Sequence, residues 1–176
     1  MKTETNNKKL NRLASSAFEW IDSIVFSLTI VLLLFTFAVK TFIVQGSSME
    51  PNFFTGDRVF ALELMYEPQQ GDVVVIDDNN KLNEPLIKRV VATEGQTVNI
   101  DMVTGVVTVD GIEFNSPIDT SSNNIRGDIE YPIVIPQGYV FVMGDNRAVS
   151  LDSRYSELGC VDVRSIVGKE IYTIKR

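Results

Sequence analysis

The chain contains no histidine, so the residue that most often moves protons near neutral pH and most often binds metals is missing. Acid–base chemistry then falls to Lys, Asp, Glu or Tyr. A single cysteine, Cys160, excludes an internal disulfide, a Cys–His nucleophile and a cysteine-rich zinc site. Nothing in the sequence implies a metal or an organic cofactor. Three short stretches remain in which residue types and spacing could carry a reaction.

The first is Gly46-Ser47-Ser48-Met49-Glu50-Pro51. Pro51 fixes its own φ and biases Glu50 toward an extended conformation, while Gly46 lets another backbone approach closely. A serine held in such a loop can present its hydroxyl and its own N–H together. The second is Pro85-Leu86-Ile87-Lys88-Arg89-Val90-Val91, where strand alternation sets Lys88 on one face with Leu86 and Val90. A free lysine titrates near about 10.4, so work as a base at neutral pH needs a fall of roughly three, which desolvation can supply. Arg89 cannot substitute, because a guanidinium keeps its proton. The third runs from Gly144 to Arg154 (GDNRAVSLDSR), dense in opposite charges and hydroxyls. Asp145 or Asp152 with Arg154 could pin this loop, and Ser150 could orient a neutral amine. Taken singly, each stretch also has an ordinary reading: a tight turn, a strand lysine reaching solvent, and a solvated loop of mixed charge.

The elements that must position these residues are of two kinds. Residues 24–39 (IVFSLTIVLLLFTFAV) hold no charge, Pro or Gly. As a helix they rise about 24 Å, and extension back to Trp20 gives about 30 Å, the thickness of a hydrocarbon core. The stretch is longer than a cleavable signal usually is, and Val39-Lys40-Thr41-Phe42 is no cleavage site, so it reads as a retained anchor over residues 20–40. Lys2, Lys8, Lys9 and Arg12 precede it, which keeps residues 1–19 in the cytoplasm and exports residues 41–176. From Lys40, Ser48 lies within about 26 Å of chain, close to the membrane surface.

From Val59 onward the apolar residues fall in short β-branched and aromatic runs broken by Gly, Pro, Asn and Asp. This predicts a mostly β, antiparallel domain with strands at 58–66, 72–76, 86–92, 97–102, 106–109, 139–143 and 169–174. Asp110-Gly111 reads as a type I′ hairpin turn, Thr104-Gly105 as a second reversal, and residues 115–130 as a mobile surface loop. Charge is divided: residues 1–40 carry five Lys or Arg against three acids, and residues 41–176 carry eleven against twenty, so +2 and -9 give the net -7. An acidic exported body argues against nucleic acid as a partner.

Following one N-terminal apolar segment, Ser48-Met49-Glu50-Pro51, Ile87-Lys88-Arg89-Val90 and Gly144-Asp145-Asn146-Arg147 with Ser150-Leu151-Asp152-Ser153-Arg154 occur in the order that closely resembles the bacterial type I signal peptidases. The resemblance implies a Ser–Lys dyad, with Ser48 as nucleophile and Lys88 as general base. It implies that Ser150 hydrogen-bonds Lys88, that Asp152, Arg154, Asp145 and Arg147 brace the loop, and that the Ser48 N–H meets the oxyanion. Some relatives carry a hydroxyl residue as second donor where this chain has Gly46. The implied substrates are exported preproteins, cut after small side chains, and Met49, Pro51, Phe53 and Phe54 correspond to an apolar surface that meets membrane lipid or substrate. Where the family usually continues with Gly and ends in Gly-Asp, this chain has Ala92-Thr93-Glu94-Gly95-Gln96, and it is small for the family. Those departures bear on substrate range and admit a dedicated enzyme for a few surface proteins such as pilins. A catalytically silent, membrane-anchored assembly factor is the rival reading.

Overall fold

The computed structural model describes residues 18–33, 36, 38–63, 66–115 and 127–176. The charged N-terminal residues Lys2, Lys8, Lys9 and Arg12 and most of the polar segment 115–130 lie outside them. The chain divides into two units, Met1–Ala38 and Val39–Arg176.

In the first unit, residues 18–33 are helical and exposed throughout. Its hydroxyls do not compete for outside partners. Ser23, Ser27 and Thr29 each donate to the carbonyl four residues back, at 2.8–2.9 Å. Among the described residues no helix is long and apolar enough to cross a membrane. Lys40, expected at the end of the span, instead belongs to a strand and pairs with Glu63 at 2.7 Å.

The second unit is antiparallel β, as the run lengths predict. Its strands are β1 (Val39–Ile43), β2 (Arg58–Leu62), β3 (Val73–Ile76), β4 (Leu86–Ala92), β5 (Thr97–Ile100), β6 (Val107–Val109), β7 (Ile112–Glu113), β8 (Ile133–Val134), β9 (Tyr139–Met143), β10 (Val161–Asp162) and β11 (Ile166–Ile174). A seven-stranded sheet runs β1-β2-β11-β3-β4-β9-β10, and a four-stranded sheet runs β7-β6-β5-β8. The Asp110-Gly111 turn has φ of 52° and 79°, both positive as type I′ requires, and it pairs Val109 with Ile112. Gly105, at φ 83°, closes the other reversal by donating to Asp101 O at 2.7 Å.

Three apolar clusters fill the unit. Val91, Val98, Ile135, Phe141 and Met143 join the two sheets. Val44, Met49, Phe53, Val59 and Val75 pack beneath the Ser48 loop. Val74, Ile76, Val90, Val142 and Leu158 fill the space toward β10. The central strands β3 and β4 are covered on both sides, so their sequences read as continuous apolar runs that reveal no exposed face. At β4 the only interruptions are Lys88 and Arg89, both buried.

Candidate active site

Ser48 sits in a loop whose ends are tied together. Val44 N donates to Asp57 O at 2.9 Å and Gly56 N to Val44 O at 3.0 Å. Inside, Asn52 and Phe53 both donate to the Met49 carbonyl, at 3.0 and 2.9 Å. The buried Asp57 carboxylate accepts from Phe54 N at 2.9 Å, from Arg176 N at 3.0 Å and from Lys175 Nζ at 3.2 Å, which fastens the loop to the end of the chain's last strand. Met49 and Phe53 point into the core, 1% and 7% exposed, and hold the loop down from below. They were expected on the membrane or substrate surface, and that expectation is corrected: a tight turn buries the apolar residues that straddle it. Pro51 is exposed, and Phe54, Ile43 and Val149 are the exposed apolar residues nearby in sequence to the Ser48 and Ser150 loops.

Lys88 comes from the middle of β4, opposite Val74 of β3, and is 3% exposed. Its Nζ lies 2.9 Å from Ser48 Oγ. Burial pushes its pKa below the ordinary lysine value; Asp152 and Glu84 oppose that fall, Arg154 adds to it and Asp145 opposes it. No carboxylate among the described residues forms an ion pair with it. The Ser48 carbonyl accepts from Asn146 N at 2.9 Å, while the Ser48 N–H has no acceptor among the described residues. A donor left free beside a half-exposed hydroxyl is what a developing oxyanion would need.

The Gly144–Arg154 loop closes over this pair through two ion pairs, one of them unforeseen. Asp152 accepts from Arg154 Nε at 2.8 Å and Nη2 at 2.9 Å, and from Gly144 N at 2.9 Å. Asp145 is held by Arg89, Nε to Oδ1 at 2.8 Å and Nη2 to Oδ2 at 2.6 Å, and also takes the Asn52 amide at 2.7 Å. Arg89 and Asn52 thus couple the Lys88 strand, the Ser48 loop and the Gly144 loop. Sequence reasoning missed both, since Arg89 lies 56 positions from its partner. The available signal was a buried strand arginine that requires a carboxylate from somewhere.

Two braces differ from expectation. Among the described residues the buried Ser150 Oγ has no hydrogen-bond partner and does not bond Lys88. It lies against Gly144, where an added Cβ would sit 2.3 Å from Ser150 Oγ and 2.5 Å from Ser48 O. A side chain at position 144 would collide with both loops, so only glycine fits between them. Arg147 is buried yet joins neither ion pair, and burial together with Arg154 pushes its pKa down to about 10.

Ser48 and Lys88 line a cleft of about 380 Å³, whose other walls include Phe42, Val44, Ile87 and Leu151. The pattern of the family "Signal peptidase, peptidase S26" matches residues 17–174. The chain belongs to the signal peptidase family, peptidase S26. Its relatives include signal peptidase I of Bacillus licheniformis, 31% identical over 93% of this chain and 91% of that protein. Signal peptidase I P of Bacillus subtilis subsp. natto is 35% identical over 92% of this chain and 91% of its own. A crystal structure of signal peptidase I from Enterococcus faecalis aligns with 59% of this chain and 97% of that one, at TM-score 0.48 and 24% identity.

The protein is therefore a signal peptidase by family, a serine endopeptidase and hydrolase. In this signal peptidase the departure at Gln96 is absorbed locally: Gln96 Oε1 accepts from Thr93 N at 2.9 Å and its amide donates to Asp110 at 3.2 Å, closing the Gly95 turn. Cys160 is half-buried and burial raises its thiol pKa, so it is poorly set up as a nucleophile.

Proposed function

We propose that this chain removes signal peptides from exported preproteins, with Ser48 as nucleophile and Lys88 as general base. The observation that carries the reading is the 2.9 Å separation of a desolvated lysine amine from the Ser48 hydroxyl. Neutral Lys88 takes the Oγ proton as Oγ bonds to the scissile carbonyl carbon, and the carbonyl π pair becomes an oxyanion beside the Ser48 N–H. Collapse breaks the C–N bond, and the Lys88 ammonium gives its proton to the leaving amine. Water then attacks the Ser48 ester with Lys88 again accepting the proton, which frees the carboxylate product and the hydroxyl. Asp145–Arg89 and Asp152–Arg154 act indirectly, by holding the loop that covers the dyad.

In the same reading, residues 20–40 anchor the enzyme, with the basic N-terminus inside the cell and the catalytic domain outside. The uncharged run 24–39 and the basic residues before it support this. Exposed Phe54 and Ile43 are suited to rest on lipid. A narrow substrate set, such as a few surface proteins, is part of the same reading, on the departures at Ala92 and Gln96.

The test is to incubate the full chain in detergent with a panel of preproteins and sequence the new N-termini. Cleavage after small residues by the natural protein and none by Ser48→Ala is expected, whereas cleavage surviving in Ser48→Ala sinks the assignment. Because only the uncharged amine accepts a proton, the rate should rise with pH through the lowered pKa of Lys88. A profile flat through that rise would remove Lys88 from the base role.

A further inference from the structure

The cleft that holds Ser48 and Lys88 is walled mainly by apolar side chains, among them Phe42, Val44 and Leu86. Gln45 is neutral. Two ionisable residues line it, Lys88 and Glu84, and Lys88 works in its uncharged form. Glu84 is exposed, and its carboxylate has no hydrogen bond or ion pair among the described residues. Its backbone is fixed nonetheless. Asn80 Nδ2 donates to the Glu84 carbonyl at 2.6 Å, and Leu82 N donates to Asn80 Oδ1 at 2.8 Å. Ser165 Oγ ties the same turn to the sheet through the Asn79 carbonyl at 2.7 Å. A rigid turn therefore holds a free negative charge at the rim of an otherwise uncharged trough.

We propose that Glu84 selects for substrate charge, so that the preferred preproteins carry a lysine or arginine about three to five residues from the cleaved bond, with uncharged residues between. This rests on the signal-peptide-cleaving reading above. The distance follows from chain geometry. Glu84 stands four positions before Lys88, at most about 13 Å along an extended strand, and an extended peptide lying on the same wall covers that in about four residues. A cation at that place meets the unpaired carboxylate, an acid there meets repulsion, and a neutral residue meets neither.

The same carboxylate couples recognition to catalysis. Asp152, Glu84, Arg154 and Asp145 are the charged groups that act on Lys88, and Glu84 is one of those favouring its protonated form. Asp152 and Asp145 already have arginine partners. Glu84 has none, so a substrate cation placed on it cancels a field that held the proton on the base. A correctly charged substrate thus binds better and also frees more of the amine to act.

The experiment uses the full chain in detergent and preproteins that differ at one position only, carrying Lys, Gln or Glu three, four or five residues from the cut on either side. At one of those positions kcat/KM should rank Lys above Gln above Glu, by about three- to tenfold between Lys and Gln, and the ranking should compress at high salt. In Glu84→Gln the Lys-to-Gln ratio should fall to near one, and in Glu84→Lys the order should invert. For the substrate with Gln, the acid limb of the pH-rate profile should move to lower pH in Glu84→Gln. Equal kcat/KM for all three residues at every position, or a ranking that survives Glu84→Gln, overturns the inference and leaves signal-peptide cleavage standing. If the natural protein cleaves no preprotein at all, the functional reading fails and this inference falls with it.

Discussion

β4 carries two basic side chains side by side, and its two faces treat them in opposite ways. Arg89 is 8% exposed and engaged through all three of its nitrogens: two fork onto Asp145 and a third reaches the Gly71 carbonyl at 2.8 Å. Lys88 is 3% exposed and touches one polar group, the Ser48 hydroxyl. Both are buried, so under the proposed mechanism it is the partner, not burial, that separates scaffold from chemistry. A guanidinium cannot shed its charge and is tolerated inside only when paired. An amine can shed its charge, and leaving it unpaired is what makes it a base.

The strongest way to break this contrast is to exchange the chemistry at position 88. Lys88→Arg keeps a buried cation but cannot become neutral, so cleavage of a preprotein should fall by about 10³-fold or more, as it should in Lys88→Ala and Ser48→Ala. Residual turnover by Lys88→Arg near the natural rate would show that no neutral amine is needed. Next in size comes removal of the anion on the other face. Asp145→Ala strands Arg89 in the interior and removes one partner of Asn52, and should lower unfolding free energy by about 3 kcal/mol in a denaturant titration. Replacing both members, Arg89→Met with Asp145→Leu, should recover much of that loss. A double variant as unstable as Asp145→Ala would mean that the loss comes from somewhere other than a stranded charge.

How much of this could be read from residue order depended on how far apart the partners lie. Ser48, Lys88 and the Gly144–Arg154 loop were singled out by their order along the chain rather than by type alone, and strands β4 and β9 match their expected limits because their apolar runs end at clear turn residues. Arg89 escaped notice because its partner is long-range, and pairing across 56 positions leaves no local trace. β1 was hidden by the apolar run before it: Val39 and Lys40 look like the end of a helix until β2 supplies their hydrogen bonds, from Val39 opposite Leu62 to Ile43 opposite Arg58. Met49 and Phe53 show the reverse error. The family resemblance implied a surface that meets lipid or substrate, but which way a turn points its side chains is fixed by the cluster it lands on. Ser150 was placed on Lys88 by the family resemblance, and its buried hydroxyl instead has no hydrogen-bond partner among the described residues.

A subtler exchange sharpens the comparison at the neighbouring position. Arg89→Lys keeps the charge but loses the fork that spans both Asp145 oxygens, so it should cost about 1 to 2 kcal/mol of stability and leave the pH dependence of cleavage in place. Should Arg89→Lys instead displace the acid limb of the pH-rate profile as strongly as Glu84→Gln, the Arg89–Asp145 pair would weigh on Lys88 as heavily as Glu84 does and the contrast would blur.

The smallest expected effect is also the one whose sign is least intuitive. Lys88→Met removes the proposed base but should make the fold more stable, by about 1 kcal/mol near neutral pH, because a desolvated amine is exchanged for an apolar side chain of similar length. The sign follows from linkage. Lys88 has a lower pKa in the folded protein than in the unfolded chain, so between those two values the unfolded chain holds the extra proton and stability rises with pH. Below the folded value both states are charged and the natural protein bears the whole burial penalty; above the unfolded value, about 10.4, neither is charged and the penalty is gone. The melting-temperature advantage of Lys88→Met should therefore be greatest at low pH and shrink steadily as pH rises toward that of free lysine. An advantage that did not change with pH would show that the gain comes from packing alone, and that Lys88 loses its proton no more easily in the fold than in water.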